Sequence, residues 1–194
     1  MVNQAKELIR RSALVARDAL PPDVRQAAAQ TIAERAFPVA IARGSAVSGF
    51  MPIGSEINPI PLMKRLADGG AKLALPVVIG RGKPLALRAW AFGDKLIEQQ
   101  WNIKIPPPGV PELDPDVMLV PLAAFDRRGH RIGYGAGYYD MTIAGVRARK
   151  SVVAIGLAFA LQEVELIPNS AQDERLDFVM TERETFDFRG SPPA

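Results

Sequence analysis

The chain has 194 residues, 48% apolar and 23% charged, the proportions of an ordinary soluble globular domain with room for a substantial core. The absence of cysteine and a single histidine, His130, exclude disulfides, cysteine-based zinc sites and multi-histidine metal centres, so any catalytic metal should be a hard ion on carboxylates and phosphates. The net charge of +3 suits small anionic ligands and is too weak to argue for nucleic acid. No apolar run approaches the roughly 18–20 residues of a membrane helix, and the N-terminus lacks a signal peptide's apolar segment, so a cytoplasmic protein with no membrane partner is expected.

Residues 2–20 read as a helix, with Val2, Ala5, Leu8, Ile9, Ala13, Ala16 and Leu20 in one apolar stripe, and Pro21-Pro22 stops it. Lys6, Arg10 and Arg17 fall within about 40° of one another and form a basic line beside that stripe. A solvated face is the ordinary fate of such a line. Asp23 is placed to cap a second, alanine-rich helix reaching about residue 37. Residues 45–50 form a short apolar strand, which runs through a loop at 51–59 into a helix ending at Gly69-Gly70. Residues 72–78 form the next strand. Strand–helix–strand is a parallel βαβ unit, and in such sheets ligands sit beyond the carboxyl ends of the strands. Glu56 lies there, although the dipole of the following helix would also favour an acid at that place.

Residues 80–84 make a turn and 85–92 a strand, so 72–92 should form a hairpin. Trp90 and Trp101 read as packing groups. Residues 106–111, rich in proline, are an extended connection rather than a domain linker. Further buried strands are expected at 117–122, 151–157 and 177–180, and residues 189–194 should fray. The fold class is therefore α/β: a single domain over 1–194, with a mostly parallel central sheet flanked by helices in three layers, Rossmann-like.

The densest chemistry lies at residues 120–144, which read as strand, loop and helix, with the helix at 138–147. The loop holds Gly129, Gly133, Gly135 and Gly137. Such a loop can turn tightly and present several backbone N–H groups to one anion at a helix N-terminus. Arg131 adds a positive charge, and Asp140 a carboxylate able to hold magnesium. The spacing is neither a Walker A loop nor the dinucleotide fingerprint, and glycine spacing alone is equally compatible with a turn that holds no ligand.

The full string is more specific. Pro121, Ala124-Phe125-Asp126, Gly129, Arg131, Gly133, Gly135 and Gly137-Tyr138-Tyr139-Asp140 resemble the signature of the 5-formyltetrahydrofolate cyclo-ligases. The similarity extends over nearly the whole chain. It implies that Lys6 and Arg10 contact ATP phosphates, whereas Arg17 has no counterpart in the motif. It implies an ATP-binding loop of Arg131, Ile132, Gly133, Tyr134, Gly135, Ala136, Gly137, Tyr138 and Tyr139, with Arg131 and Lys6 as the catalytic cations. Residues 49–58 resemble the folate-contacting segment, where Glu56 would read the pterin and Met51 would lie against the ring. Tyr134, Gly135, Ala136, Gly137 and Tyr138 would border the folate as well. Asp140 and Asp173 match the two magnesium-associated aspartates. Gly156-Leu157-Ala158-Phe159, Gln162, Pro168, Leu176-Asp177 and Thr181 match a second family block.

The resemblance implies ATP- and magnesium-dependent closure of 5-formyltetrahydrofolate to 5,10-methenyltetrahydrofolate, through a phosphorylated formyl oxygen, with release of ADP and phosphate. The expected partners are these small molecules alone, and a monomer is expected. Met141, Gln172 and Pro106-Pro107 depart from the family pattern, and the first two motivate one alternative, a non-catalytic folate- or nucleotide-binding homologue of the same fold.

Overall fold

The apolar runs assemble into a seven-stranded sheet in a computed structural model that describes residues 2–99 and 103–190. Its strands are β1 (Ala46–Ser48), β2 (Lys72–Val77), β3 (Ala86–Trp90), β6 (Val117–Pro121), β9 (Val153–Leu157), β10 (Phe178–Met180) and β11 (Thr185–Asp187). The spatial order is β11-β10-β9-β6-β1-β2-β3. The five inner strands are parallel, and β3 and β11 close the two edges antiparallel. Two short antiparallel pairs stand apart: β4 (Ile97–Glu98) with β5 (Lys104–Ile105), and β7 (Ala124–Phe125) with β8 (Arg131–Ile132).

Alternation along the inner strands sends side chains to two cores, which is why these strands are apolar on both faces. Val47, Leu73, Leu75, Leu119 and Ile155 meet α2 (Pro22–Glu34) and α3 (Ile60–Asp68) through Ala29, Ile32, Leu62, Met63 and Leu66. Met118, Val120, Ala154 and Val179 meet α4 (Tyr138–Arg147) through Ile143 and Val146. The helices thus form layers on both sides of a mostly parallel sheet, as the sequence pattern implies. The first helix, α1 (Val2–Asp18), lies elsewhere: Ala13, Ile9 and Leu14 pack on Ala123, Ala124 and Ile132, beyond the end of β6.

Two local expectations are corrected. Asp23 does not cap α2; Pro21 is the N-cap, no side chain bonds there, and Asp23 sits in the first turn, where its charge complements the dipole. Pro22 occupies the first helical position, so one orphan N–H is already absent. The helix ends at Glu34 rather than residue 37, because Arg35 is extended and Pro38 disfavours helical backbone at Phe37. The strands β4, β5, β7, β8 and β11 are too short for periodicity to show. Trp90 is buried, with its ring 4.7 Å from that of Phe92, whereas Trp101 and residues 191–194 lie outside the described residues. Arg189 is held by the Asp187 carboxylate and lies 4.4 Å from the Phe178 ring centroid.

Within β9, a Cβ on Gly156 would lie 2.7 Å from Leu122 and Leu176 methyl carbons and 2.9 Å from Val179. The site is buried, so the neighbours must shift against a packed core. Gly156→Ala should therefore destabilise the fold by about 1–3 kcal/mol, read as a melting temperature several degrees lower.

Candidate active site

Strand order changes direction between β1 and β6. From β1 the chain winds to β2, and from β6 it winds the other way to β9 and β10. The loops that follow β1 and β6 therefore diverge and leave a crevice beyond the carboxyl ends of these strands, the usual ligand position in open α/β sheets. The first loop carries Met51 and Glu56, the second carries residues 131–140, and α1 lies alongside with its basic line.

The two-residue strand β8 anchors the glycine loop. Ile132 is buried against Ala123 and Ala124, and Arg131 beside it is 7% exposed. Arg131 donates from Nη1 to Asp140 Oδ1 at 2.8 Å and to the Glu174 carbonyl at 3.2 Å. The Glu174 N–H donates to the same carboxylate oxygen at 3.1 Å, which brings Asp173 next to Asp140. Lys6 Nζ, from α1, donates to both oxygens of Asp173 at 2.6 Å. Burial pushes the Asp173 carboxyl up, but Lys6 and Ser170 outweigh it and hold it below the usual carboxylate range. Arg10 donates from Nε to the Gly133 carbonyl at 2.6 Å and pairs with Glu7. Lys6, Arg10, Arg131, Asp140 and Asp173, far apart in sequence, thus converge along one side of the crevice.

Gly137 begins α4 with φ at +67°, and no side chain caps that helix. Its first N–H groups are open to an anion. Gly133 has ordinary backbone angles and a Cβ there would meet nothing within 4 Å, so neither strain nor internal crowding requires glycine. That is the pattern of backbone left bare for a ligand's approach. Tyr134, Gly135 and Ala136 are exposed at the tip, whereas Tyr138 and Tyr139 turn partly into the core under α4.

Across the crevice, Glu56 is 7% exposed and lies ahead of α3 without belonging to its first turn. Its Oε2 accepts the Ile53 N–H at 2.8 Å, so a turn in its own loop holds it rather than the helix dipole. Met51 packs partly buried against the core. Burial raises the Glu56 carboxyl above its usual range, against the lowering effects of Ile53, Tyr134 and Arg17. Burial and the Glu56 charge push the Tyr134 hydroxyl up to about 12, so it remains a proton donor.

Sequence reading missed Arg17 here. It is 3% exposed, donating from Nε to Ser55 Oγ and from Nη2 to the Tyr134 hydroxyl, both at 2.9 Å. The signal was present in its helical alignment with Lys6 and Arg10.

Among the described residues no three acidic or histidine side chains enclose a metal by themselves. Asp140 and Asp173 suit magnesium, which prefers one or two carboxylates completed by phosphate oxygens and water. Asp140 takes both its hydrogen bonds on Oδ1, so Oδ2 keeps its lone pairs for an ion.

The model of the 5-formyltetrahydrofolate cyclo-ligase family matches residues 2–182. The 5-formyltetrahydrofolate cyclo-ligase of Mycolicibacterium smegmatis is 32% identical over 193 residues, covering 93% of this chain and 95% of that relative. The Escherichia coli (strain K12) enzyme of the same name is 32% identical over 174 residues, covering 85% and 93%. The NMR structure of Aquifex aeolicus 5,10-methenyltetrahydrofolate synthetase superposes with a TM-score of 0.78 at 25% identity, covering 97% of this chain and 95% of that one.

The raised Glu56 carboxyl has a stability consequence. Folding favours its protonated form, so its ionisation costs stability as pH rises from the unfolded value through the folded one. Glu56→Gln should therefore raise the melting temperature at about pH 8 and give little gain at about pH 4, where both forms are largely neutral. Thermal unfolding at the two pH values checks this.

Proposed function

The chain belongs to the 5-formyltetrahydrofolate cyclo-ligase family, and from that premise we propose that the crevice closes 5-formyltetrahydrofolate to 5,10-methenyltetrahydrofolate using ATP. As a member of that family it is a ligase; the co-substrate, the metal and the residue roles are the proposal. The observation that carries it is the meeting of the two loops. Tyr134, on the glycine loop, interacts with Glu56, on the loop after β1, while Arg10 grips Gly133 one residue away. An anion held by the loop backbone would thus lie next to a ligand held by Glu56.

A formamide oxygen is a poor leaving group. In the proposed sequence the N5-formyl oxygen attacks the γ-phosphorus of ATP, the bond to the β-phosphate oxygen breaks, and ADP leaves. The resulting imidate phosphate is attacked at carbon by N10. N10 gives up its proton, phosphate leaves, and the methenyl bridge remains as a cation. No protein nucleophile is required, so one histidine and no cysteine suffice. The protein's task is positioning and charge neutralisation. Glu56 would hold the pterin with Met51 against the ring. Backbone N–H groups at residues 133–139 and the cations Lys6, Arg10 and Arg131 would hold the triphosphate. Asp140 and Asp173 would hold magnesium, which supplies charge neutralisation on the phosphate oxygens.

The ion pairs of the ligand-free site support this division. Lys6 is matched with Asp173 and Arg131 with Asp140, so each proposed phosphate-binding cation is stored on a proposed metal-binding carboxylate. Arrival of a metal-bound triphosphate would exchange both sets of partners, the carboxylates turning to the metal and the cations to the phosphate oxygens. Gln172 is exposed and Met141 gives the first backbone bond of α4, to the Gly137 carbonyl; neither side chain takes part in the pairs.

Mixing protein, magnesium, ATP and 5-formyltetrahydrofolate should generate methenyl product, followed by absorbance. A folded protein giving no ATP-dependent signal would overturn the assignment. Lys6→Ala should raise KM for ATP about tenfold or more with a small effect on the folate KM, and Glu56→Ala should do the reverse. Equal weakening of both ligands by each variant would refute the division of the crevice.

A further inference from the structure

Arg17 is the member of the α1 basic line to which the family resemblance gives no role, yet it is buried at 3% exposure. Its side chain is fixed at two points. Nε donates to Ser55 Oγ and Nη2 to the Tyr134 hydroxyl, with the guanidinium carbon 5.8 Å from the Tyr134 ring centroid. Ser55 in turn bonds the Asp18 carboxylate. The remaining nitrogen, Nη1, is buried without a partner.

Glu56 follows Ser55 directly, and its Oε1 is likewise buried without a partner, since the Ile53 N–H is taken by Oε2. Both side chains engage Tyr134, and the Arg17 charge acts on the Glu56 carboxyl. An unpaired buried donor and an unpaired buried acceptor therefore share one cluster and do not satisfy each other. Leaving such groups dry is unfavourable, and a pair of opposite character within one crevice points to a ligand edge that offers an acceptor beside a donor. The pterin ring of 5-formyltetrahydrofolate has such an edge, with its ring carbonyl next to an N–H.

Resting on the folate reading above, we propose that Arg17 is a second substrate-contacting residue: Nη1 donates to the 4-oxo group of the pterin while Glu56 Oε1 accepts from the neighbouring ring N–H. Arg17 then selects for the ring carbonyl, and its grip on Ser55 and Tyr134 fixes the fork so that one nitrogen is left for the ligand. Lysine, a single point donor, cannot hold both anchors and the ligand together.

The test is a cycle of two ligands and two proteins, read by calorimetric binding without ATP. The ligands are 5-formyltetrahydrofolate and its 4-deoxy counterpart, which lacks the carbonyl and with it the neighbouring ring N–H, so that the Arg17 contact is read from the variant's effect on the preference. Wild type should prefer the carbonyl ligand by about 10- to 100-fold. Arg17→Met should weaken that ligand several-fold, removing Arg17's share of the preference, and change the 4-deoxy ligand little, because that ligand has no carbonyl for Arg17 to lose. Arg17→Lys should recover part of the affinity but not the whole preference. A structural role alone would weaken both ligands equally, and that result overturns the proposal while leaving the folate reading intact. Wild-type protein binding both ligands equally also overturns it, whether or not the variants fold. Wild-type protein binding neither ligand overturns the folate reading and this proposal together.

Discussion

The reversal of strand order between β1 and β6 is the constraint on which the crevice depends. A loop leaving β1 must head toward β2, and a loop leaving β6 must head toward β9. The backbones part there, and side chains such as Tyr134 and Glu56 reach across the gap between them. The third wall comes from α1, which packs Ala13, Ile9 and Leu14 on the hairpin of β7 and β8 rather than on the sheet. That apolar contact sets the rotation of the helix. Its neighbouring face then runs Lys6, Arg10 and Arg17 along the crevice in order, toward Asp173, Gly133 and Ser55. One packing choice therefore positions three cations against three different elements.

In the proposed reading, the charges in the crevice serve exchange more than stability. Arg131 and Asp140 have side chains 4% and 23% exposed, a setting in which desolvation cancels much of the attraction. Replacing such a pair by apolar groups is often neutral, whereas removing one partner is expensive. What the pairs supply is position. Each cation is already held near the place where phosphate charge would arrive, with its side-chain entropy spent during folding.

Much of this was legible in the chain. The helix at 138–147 is marked by Gly137 and by apolar periodicity, and the parallel core strands are marked by runs that can face water on neither side. What escaped were features made by distant partners. Arg17 meets Ser55 and Tyr134 across 38 and 117 positions, so helical spacing shows its direction but not its burial. The strand β8 is two residues between glycines, and only pairing with β7 gives it form. The glycines look alike in sequence yet differ in cause. A Cβ at Gly129 would meet the Leu176 carbonyl at 2.9 Å, whereas one at Gly133 would meet nothing. The first is required by packing, and the second is explained only by what lies outside the chain.

Satisfaction of buried polar groups distinguishes the networks beneath the crevice from the side chains that line it. Asp126 is fully buried and accepts the N–H groups of Arg128, His130 and Ile167, closing the turn that leads into β8. Gln162 is equally buried, donates to the Leu122 and Ala123 carbonyls and accepts from Phe159. These groups are complete and can only hold. Along the crevice, Arg17 Nη1, Glu56 Oε1 and Arg131 Nε are buried and incomplete. Orphan atoms also occur on residues not assigned to the crevice, on Arg25 and Arg35 as well as on Trp90, His130 and Thr185. Three on charged side chains around one crevice amount to stability given up locally, each at about 1–3 kcal/mol, and sustained by the saturated networks beneath. What sets the crevice apart is that an acceptor and a donor of opposite charge, on Glu56 and Arg17, stand incomplete in one cluster, so that in the proposed reading a single ligand edge would complete both and recover that energy on binding.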